Sequence, residues 1–105
     1  LLIVAFNYGG RCEILDAVRH LMMDGIDPRD LSEELISRYL YTSVLRDPDL
    51  IIRTGGVWRF SNFLIWQIAY SEIVFSDVLW PDFSPHHLYK SIYQYQQRER
   101  RYGGI

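Results

Sequence analysis

The chain has 105 residues, 49% hydrophobic and 23% charged, with a formal net charge of -2, which allows one ordinary globular domain at most and supplies no basic field to hold nucleic acid. The single cysteine, Cys12, excludes an internal disulfide and a cysteine metal cluster, so a reducing, cytoplasmic setting is expected. No apolar run approaches the roughly 20 residues that span a bilayer.

The run Leu1–Phe6 has no polar alternation and reads as a strand buried on both faces, as in a parallel sheet. It opens the chain without Met, and upstream sequence is expected to be missing. Asn7-Tyr8-Gly9-Gly10 is a turn. A helix is predicted from Arg11, with Ile14, Leu15, Val18, Leu21 and Met22 as its buried stripe and Gly25 as its stop. Asp30 with Glu33 resembles a capping box for a second helix, whose apolar face is Leu35, Ile36, Tyr39 and Leu40. Leu50–Ile52 is a second buried strand and runs into Arg53-Thr54-Gly55-Gly56. Ser61 or Asn62 can cap a third helix carrying Leu64, Ile65, Ile68 and Ala69. Ile73–Phe75 is a third strand. Trp80–Phe83 is a loop. Ser84-Pro85 is a strong helix start, with Leu88, Ile92 and Tyr95 on one face. Tyr89, Tyr93 and Gln97 form a second stripe, suited equally to a core or to a dimer surface. Strands alternating with helices imply an α/β layer on a mostly parallel sheet.

The segment richest in chemistry is Arg53–Glu72. A buried strand ends, two glycines permit a tight turn, and Arg53, Arg59 and Ser61 surround that turn. Ligands of open α/β sheets bind beyond the carboxyl ends of the strands. A helix starting just after them would add free N–H groups and a positive dipole end, and arginines bind phosphate oxygens in bidentate fashion. The parts suit a diphosphate clamp. They also suit a ligand-free strand–turn–helix connection with solvated arginines, and the residues alone leave both readings open. No Gly-Lys-Ser/Thr follows, so this is not a Walker loop. His20, His86 and His87 carry no visible site.

The same segment, RTGGVWRFSNFLIWQIAYSE, closely resembles the signature of the cis-prenyltransferases, the undecaprenyl diphosphate synthase type. Asn7–Arg11, Asp49–Arg53, Trp80–Phe83 and the terminal residues from Arg98 to Gly104 match further motifs of that family in its order. The resemblance covers nearly the whole chain. It implies the C-terminal portion of a single cis-prenyltransferase domain, part of a mostly parallel sheet flanked by helices, with the N-terminal half missing. It implies condensation of isopentenyl diphosphate onto an allylic diphosphate such as farnesyl diphosphate, giving a Z-polyprenyl diphosphate, with undecaprenyl diphosphate for a cell-wall lipid carrier the expected product. It assigns isopentenyl diphosphate binding to Arg53, Arg59, Phe60 and Ser61. It assigns a Mg²⁺-associated carboxylate to Glu72, and a contribution across a homodimer interface to Arg101 and Gly103. Peripheral contact with a membrane surface is compatible with so apolar a product.

Two departures stand out. Val57 occupies the place of the family's usual Glu, and Trp58 that of a His found in some bacterial members. The family's Asp-Gly-Asn-Gly-Arg-Trp motif, with its catalytic aspartate and allylic-diphosphate loop, does not occur, so no catalytic residue is assigned and the chain alone is expected to be inactive. The alternative is a non-catalytic partner subunit of a heteromeric cis-prenyltransferase. An unrelated phosphate-binding α/β module is a third reading.

Overall fold

The computed structural model describes residues 1–98. The chain divides into two compact units, one formed by Leu1–Arg46 with Asn62–Trp66, the other by Asp47–Ser61 with the chain from Gln67 onward.

The first unit holds two helices, α1 (Gly10–Met23) and α2 (Glu33–Tyr39), which pack together. Helix α1 begins after Gly9, which has no side chain to cap it. Its first N–H groups are satisfied from far along the chain: Gly10 N–H donates to the Asn62 carbonyl at 2.7 Å, and Arg11 N–H to Asn62 Oδ1 at 2.9 Å. Asn62 therefore does remotely what an N-cap residue does locally. Helix α1 ends as Gly25 was expected to end it. Gly25 adopts φ +68°; its N–H donates to the Met22 carbonyl and that of Ile26 to the Leu21 carbonyl, the paired bonds of a Schellman stop.

The buried face of α1 differs from the predicted stripe. Gly10, Glu13, Ala17 and Leu21 are buried, whereas Leu15, Val18 and Met22 are exposed, Met22 at 75%. A polar hub lies on the buried side. Glu13 is 1% exposed; it accepts from the Tyr8 hydroxyl and, at 2.7 Å, from the Tyr41 N–H. Tyr8 also meets Tyr41 and Phe63 edge-on, with ring centroids 6.3 and 5.6 Å apart. A carboxylate with committed donors outranks hydrophobic spacing in choosing which side of a helix goes inside.

Two further expectations fail here. Helix α2 is capped by Ser32, whose Oγ accepts from Leu35 N–H at 3.0 Å; Asp30 instead ends a short 3₁₀ turn, Pro28–Asp30. Leu1–Phe6 forms no strand. No strand among the described residues pairs with it, so its backbone has no ladder, and Leu1, Leu2, Ile3, Val4 and Phe6 are all exposed.

The second unit is built on two parallel strands, β1 (Leu50–Arg53) and β2 (Glu72–Phe75), in the register Leu50↔Glu72 through Arg53↔Phe75. Two strands are found among the described residues where the sequence suggested three. Helix α3 (Pro85–Gln96) packs on β2. It starts at Ser84-Pro85 as predicted, with Ser84 N–H donating to His87 Nδ1 at 3.0 Å. Val74 is buried in β2 and Ser91 in α3. Tyr89 and Tyr93, of the stripe shared with Gln97, are not covered by the described residues. These elements make a partial α/β fold.

The connection between the strands, residues 54–71, contains no helix, against the expectation for residues 61–69. Ser61, Asn62 and Leu64 take φ of 51°, 63° and 48°. An α-helix needs φ near -60°, and each left-handed non-glycine residue costs roughly 1–2 kcal/mol. The helical spacing of apolar residues there does not survive, because Asn62 is committed to the start of α1 and Ser61 to Arg53.

Candidate functional site

Arg53 is the last residue of β1. A parallel strand pair presents its C-terminal ends together, and this end of the sheet is where a ligand would be met. Arg53 Nη2 donates to Ser61 Oγ at 2.8 Å. The left-handed backbone of Ser61 accompanies this reach of its hydroxyl back to the strand end. Arg53 Nε is buried and has no hydrogen-bond partner among the described residues. A buried donor left unmade costs about 1–3 kcal/mol, and a guanidinium with a spare edge is the usual means of gripping phosphate or carboxylate oxygens. Two of the expected residues, Arg53 and Ser61, are thus brought together, with donor capacity left over.

The glycine turn between them works differently from a phosphate cradle. Gly55 and Gly56 adopt φ +86° and +71°, open only to glycine at low cost. Their N–H groups are already used: Gly55 donates to the Val78 carbonyl at 2.8 Å and Gly56 to that of Ser76 at 3.0 Å. The glycines turn the chain and fasten it behind β2; their amides are not aimed at a ligand. The space over Gly55 is open, since a Cβ there would meet nothing within 4 Å. With no helix following, the helix-end contribution to anion binding drops out too, and the charge at this site rests on arginine.

Arg59 is exposed and has no ion-pair partner among the described residues. Phe60 is exposed beside it. Trp58, which departs from the family pattern, is engaged within the fold: its ring stacks on Phe75, centroids 4.8 Å apart and planes 17° from parallel. A turn that follows a strand end and carries an unshielded Trp is the signal for such a contact, but its partner, in β2, is fixed only by the register.

Glu72 is not brought to this place. It opens β2 and pairs with Leu50, at the opposite end of the strands from Arg53 and Phe75. Side chains alternate across a sheet, so Glu72 shares a face with Val74, while Arg53 and Phe75 point to the other. On its own face Glu72 is ion-paired with Arg98, just beyond α3, at 3.3 Å. No group of three His, Cys, Asp or Glu side chains among the described residues is placed to hold a metal ion. Arg101 and Gly103, expected to act across a dimer interface, lie outside the described residues.

Comparison with known proteins extends the picture. A family model described as "Putative undecaprenyl diphosphate synthase" matches residues 1–103. An isoprenyl transferase of Fusobacterium nucleatum is 55% identical, over 97% of this chain and 43% of its own length. One from Clostridium tetani is 51% identical, over 97% of this chain and 42% of its own. Among solved structures, lavandulyl diphosphate synthase from Lavandula x intermedia, in complex with dimethylallyl diphosphate, superposes with a TM-score of 0.85 at 34% identity, over 91% of this chain and 43% of that one. A probable undecaprenyl diphosphate synthase from Campylobacter jejuni superposes with a TM-score of 0.81 at 35% identity, over 94% of this chain and 45% of that one. The chain spans less than half the length of each.

Proposed function

The chain belongs to the undecaprenyl diphosphate synthase family of prenyltransferases, and from that premise we propose that its complete gene product is a cis-prenyltransferase in which this portion binds isopentenyl diphosphate. The complete product would condense isopentenyl diphosphate onto an allylic diphosphate such as farnesyl diphosphate, creating a Z double bond and releasing diphosphate at each addition. Undecaprenyl diphosphate, a cell-wall lipid carrier, is the product proposed, and the setting is the cytoplasm or its membrane surface. Among the described residues no helix is long and apolar enough to cross a membrane.

The observation that carries the reading is Arg53. It sits at the strand end where ligands of such sheets bind, is held by Ser61 at 2.8 Å, and keeps a buried Nε donor unmatched. The guanidinium's further N–H groups suit a diphosphate, whose oxygens are acceptors. Arg59, exposed in the same loop, adds a second positive charge for the same group. The role of these residues is to fix the homoallylic substrate while the other diphosphate departs, a contribution of proximity and orientation. The bond-making carboxylate is assigned to no residue of this chain. Mg²⁺ belongs to the proposal as a requirement to be tested, with Glu72 the carboxylate offered to it. A hard cation takes oxygen ligands, and those beyond Glu72 would come from outside the described residues. Homodimerisation, with Arg101 and Gly103 at the interface, is proposed on the resemblance alone.

The test is incorporation of labelled isopentenyl diphosphate into lipid by the complete gene product, with farnesyl diphosphate and Mg²⁺. Incorporation abolished by EDTA supports the synthase reading, and the length of the product identifies the synthase. An intact, folded product that incorporates nothing overturns it in favour of the supporting-subunit reading.

A further inference from the structure

The diphosphate reading leaves the other half of the substrate, its five-carbon apolar tail, without a partner. The register supplies a candidate. Arg53 and Phe75 are Cα partners in the parallel pair, so their strands lie about 4.8 Å apart there and both side chains leave the same face of the sheet. Trp58 stacks on Phe75 at 4.8 Å and is still 73% exposed. Between Arg53 and Trp58 the chain makes the Gly55-Gly56 turn, with open space over Gly55. A guanidinium with a spare donor and an uncovered aromatic surface thus share one face at one end of the sheet. A ligand with an anionic head and a short apolar tail matches both at once.

We infer that Trp58, braced by Phe75, is the surface on which the isopentenyl tail packs, and that it sets the preference for isopentenyl diphosphate over diphosphate lacking the tail. The inference rests on the proposed diphosphate role of Arg53 and extends it. The physics is ordinary area burial on a large, flat, stiff side chain. The stack with Phe75 fixes the indole plane before the ligand arrives, which limits the ordering cost of binding. A purely structural Trp58, covering Phe75 and no more, would affect both ligands alike.

The experiment compares two probes, inorganic diphosphate and isopentenyl diphosphate, titrated calorimetrically into the complete gene product at fixed Mg²⁺. The wild type is expected to bind isopentenyl diphosphate more tightly. In Trp58→Ala the affinity for isopentenyl diphosphate is expected to fall about tenfold, the scale of partial burial of five carbons, while that for inorganic diphosphate stays unchanged. Trp58→Phe retains a flat ring and is expected to keep most of the preference. Equal losses for both probes in Trp58→Ala, or no loss for either, overturn the inference and leave the diphosphate reading standing. A folded wild type that binds neither probe overturns the diphosphate reading, and this inference falls with it.

Discussion

The polar cluster around Glu13 and the strand end at Arg53 pose the same physical question and answer it in opposite ways. At Glu13, a buried carboxylate receives the Tyr8 hydroxyl and the Tyr41 N–H, and the Tyr8 ring meets Tyr41 and Phe63 edge-on. At Arg53, a guanidinium with one bond to Ser61 keeps a buried Nε without a partner, beside left-handed backbone and an exposed Trp. A satisfied buried charge orders a fold; a buried charge with capacity to spare is a place for something to bind. The contrast separates a satisfied polar group from an unsatisfied one more sharply than burial does, because Arg53 is the less buried of the two.

The largest expected effect tests the satisfied side. Glu13→Ala leaves the Tyr8 hydroxyl and the Tyr41 N–H unmatched in a buried setting. Removing one partner from such a group costs about 3 kcal/mol. Urea denaturation of the complete gene product is expected to show that loss, with isopentenyl diphosphate affinity per folded molecule retained. A variant as stable as wild type would remove Glu13 from its place as organiser of the first unit.

Arg53→Ala tests the other side and inverts the pattern. Stability is expected to stay within about 0.5 kcal/mol, since the substitution also removes an unmatched donor. Affinity for isopentenyl diphosphate is expected to fall about 30-fold, the worth of charge-assisted bonds at roughly 2 kcal/mol. If Arg53→Ala instead unfolds the protein and Glu13→Ala spares it, the two regions have been assigned the wrong way round.

The sequence was a good guide where local chemistry decides. Gly25 stops α1, Ser84-Pro85 starts α3, and the apolar runs at Leu50 and Ile73 are strands, because cap, turn and strand signals act within a few residues. It misled where a distant partner decides. The buried side of α1 is chosen by donors at Tyr8 and Tyr41, the latter 28 residues from Glu13. The helix expected at residues 61–69 is lost to commitments at Gly10, Arg11 and Arg53. Leu1–Phe6 has the pattern of an interior strand and no strand among the described residues to pair with. At the candidate site, the Arg53–Ser61 contact was legible because the family motif spans it. The separation of Glu72 from Arg53 was not, because it follows from the register and the pleat, which no single segment encodes.

A smaller effect probes the joint between α1 and Asn62. A Cβ on Gly10 would lie 2.8 Å from Ile65 Cγ1 and 2.9 Å from the Asn62 carbonyl oxygen. The side chain can shift, but the backbone oxygen that caps Gly10 cannot move without losing its bond. Gly10→Ala gains helix propensity of at most about 1 kcal/mol against overpacking of about 1–3 kcal/mol. A net destabilisation of about 1 kcal/mol is expected by the same urea measurement. A stabilised variant would mean that the Asn62 cap is looser than 2.7 Å implies.

The smallest effect is a pH dependence confined to the Glu13 cluster. Burial, then the hydrogen bond to Glu13, then its negative charge push the Tyr8 hydroxyl well above its ordinary range. Tyr41 is pushed up to about 12 by its hydrogen bond to Asp16, with burial second. A folded-state pKa above the unfolded one gives stability that is full below the unfolded value, about 10 for Tyr, and is lost as pH rises through the folded value. The hydroxyl of Tyr8 is worth about 1 kcal/mol as a hydrogen bond at neutral pH, so Tyr8→Phe is expected to be the less stable protein there. Between pH 10 and 12 the wild type gives up part of that advantage and the gap narrows. Tyr41 and its hydrogen bond to Asp16 are present in both proteins. A gap that stays constant to pH 12 would show that the Tyr8 hydroxyl is not engaged by Glu13, and the satisfied half of the contrast would lose one of its two donors.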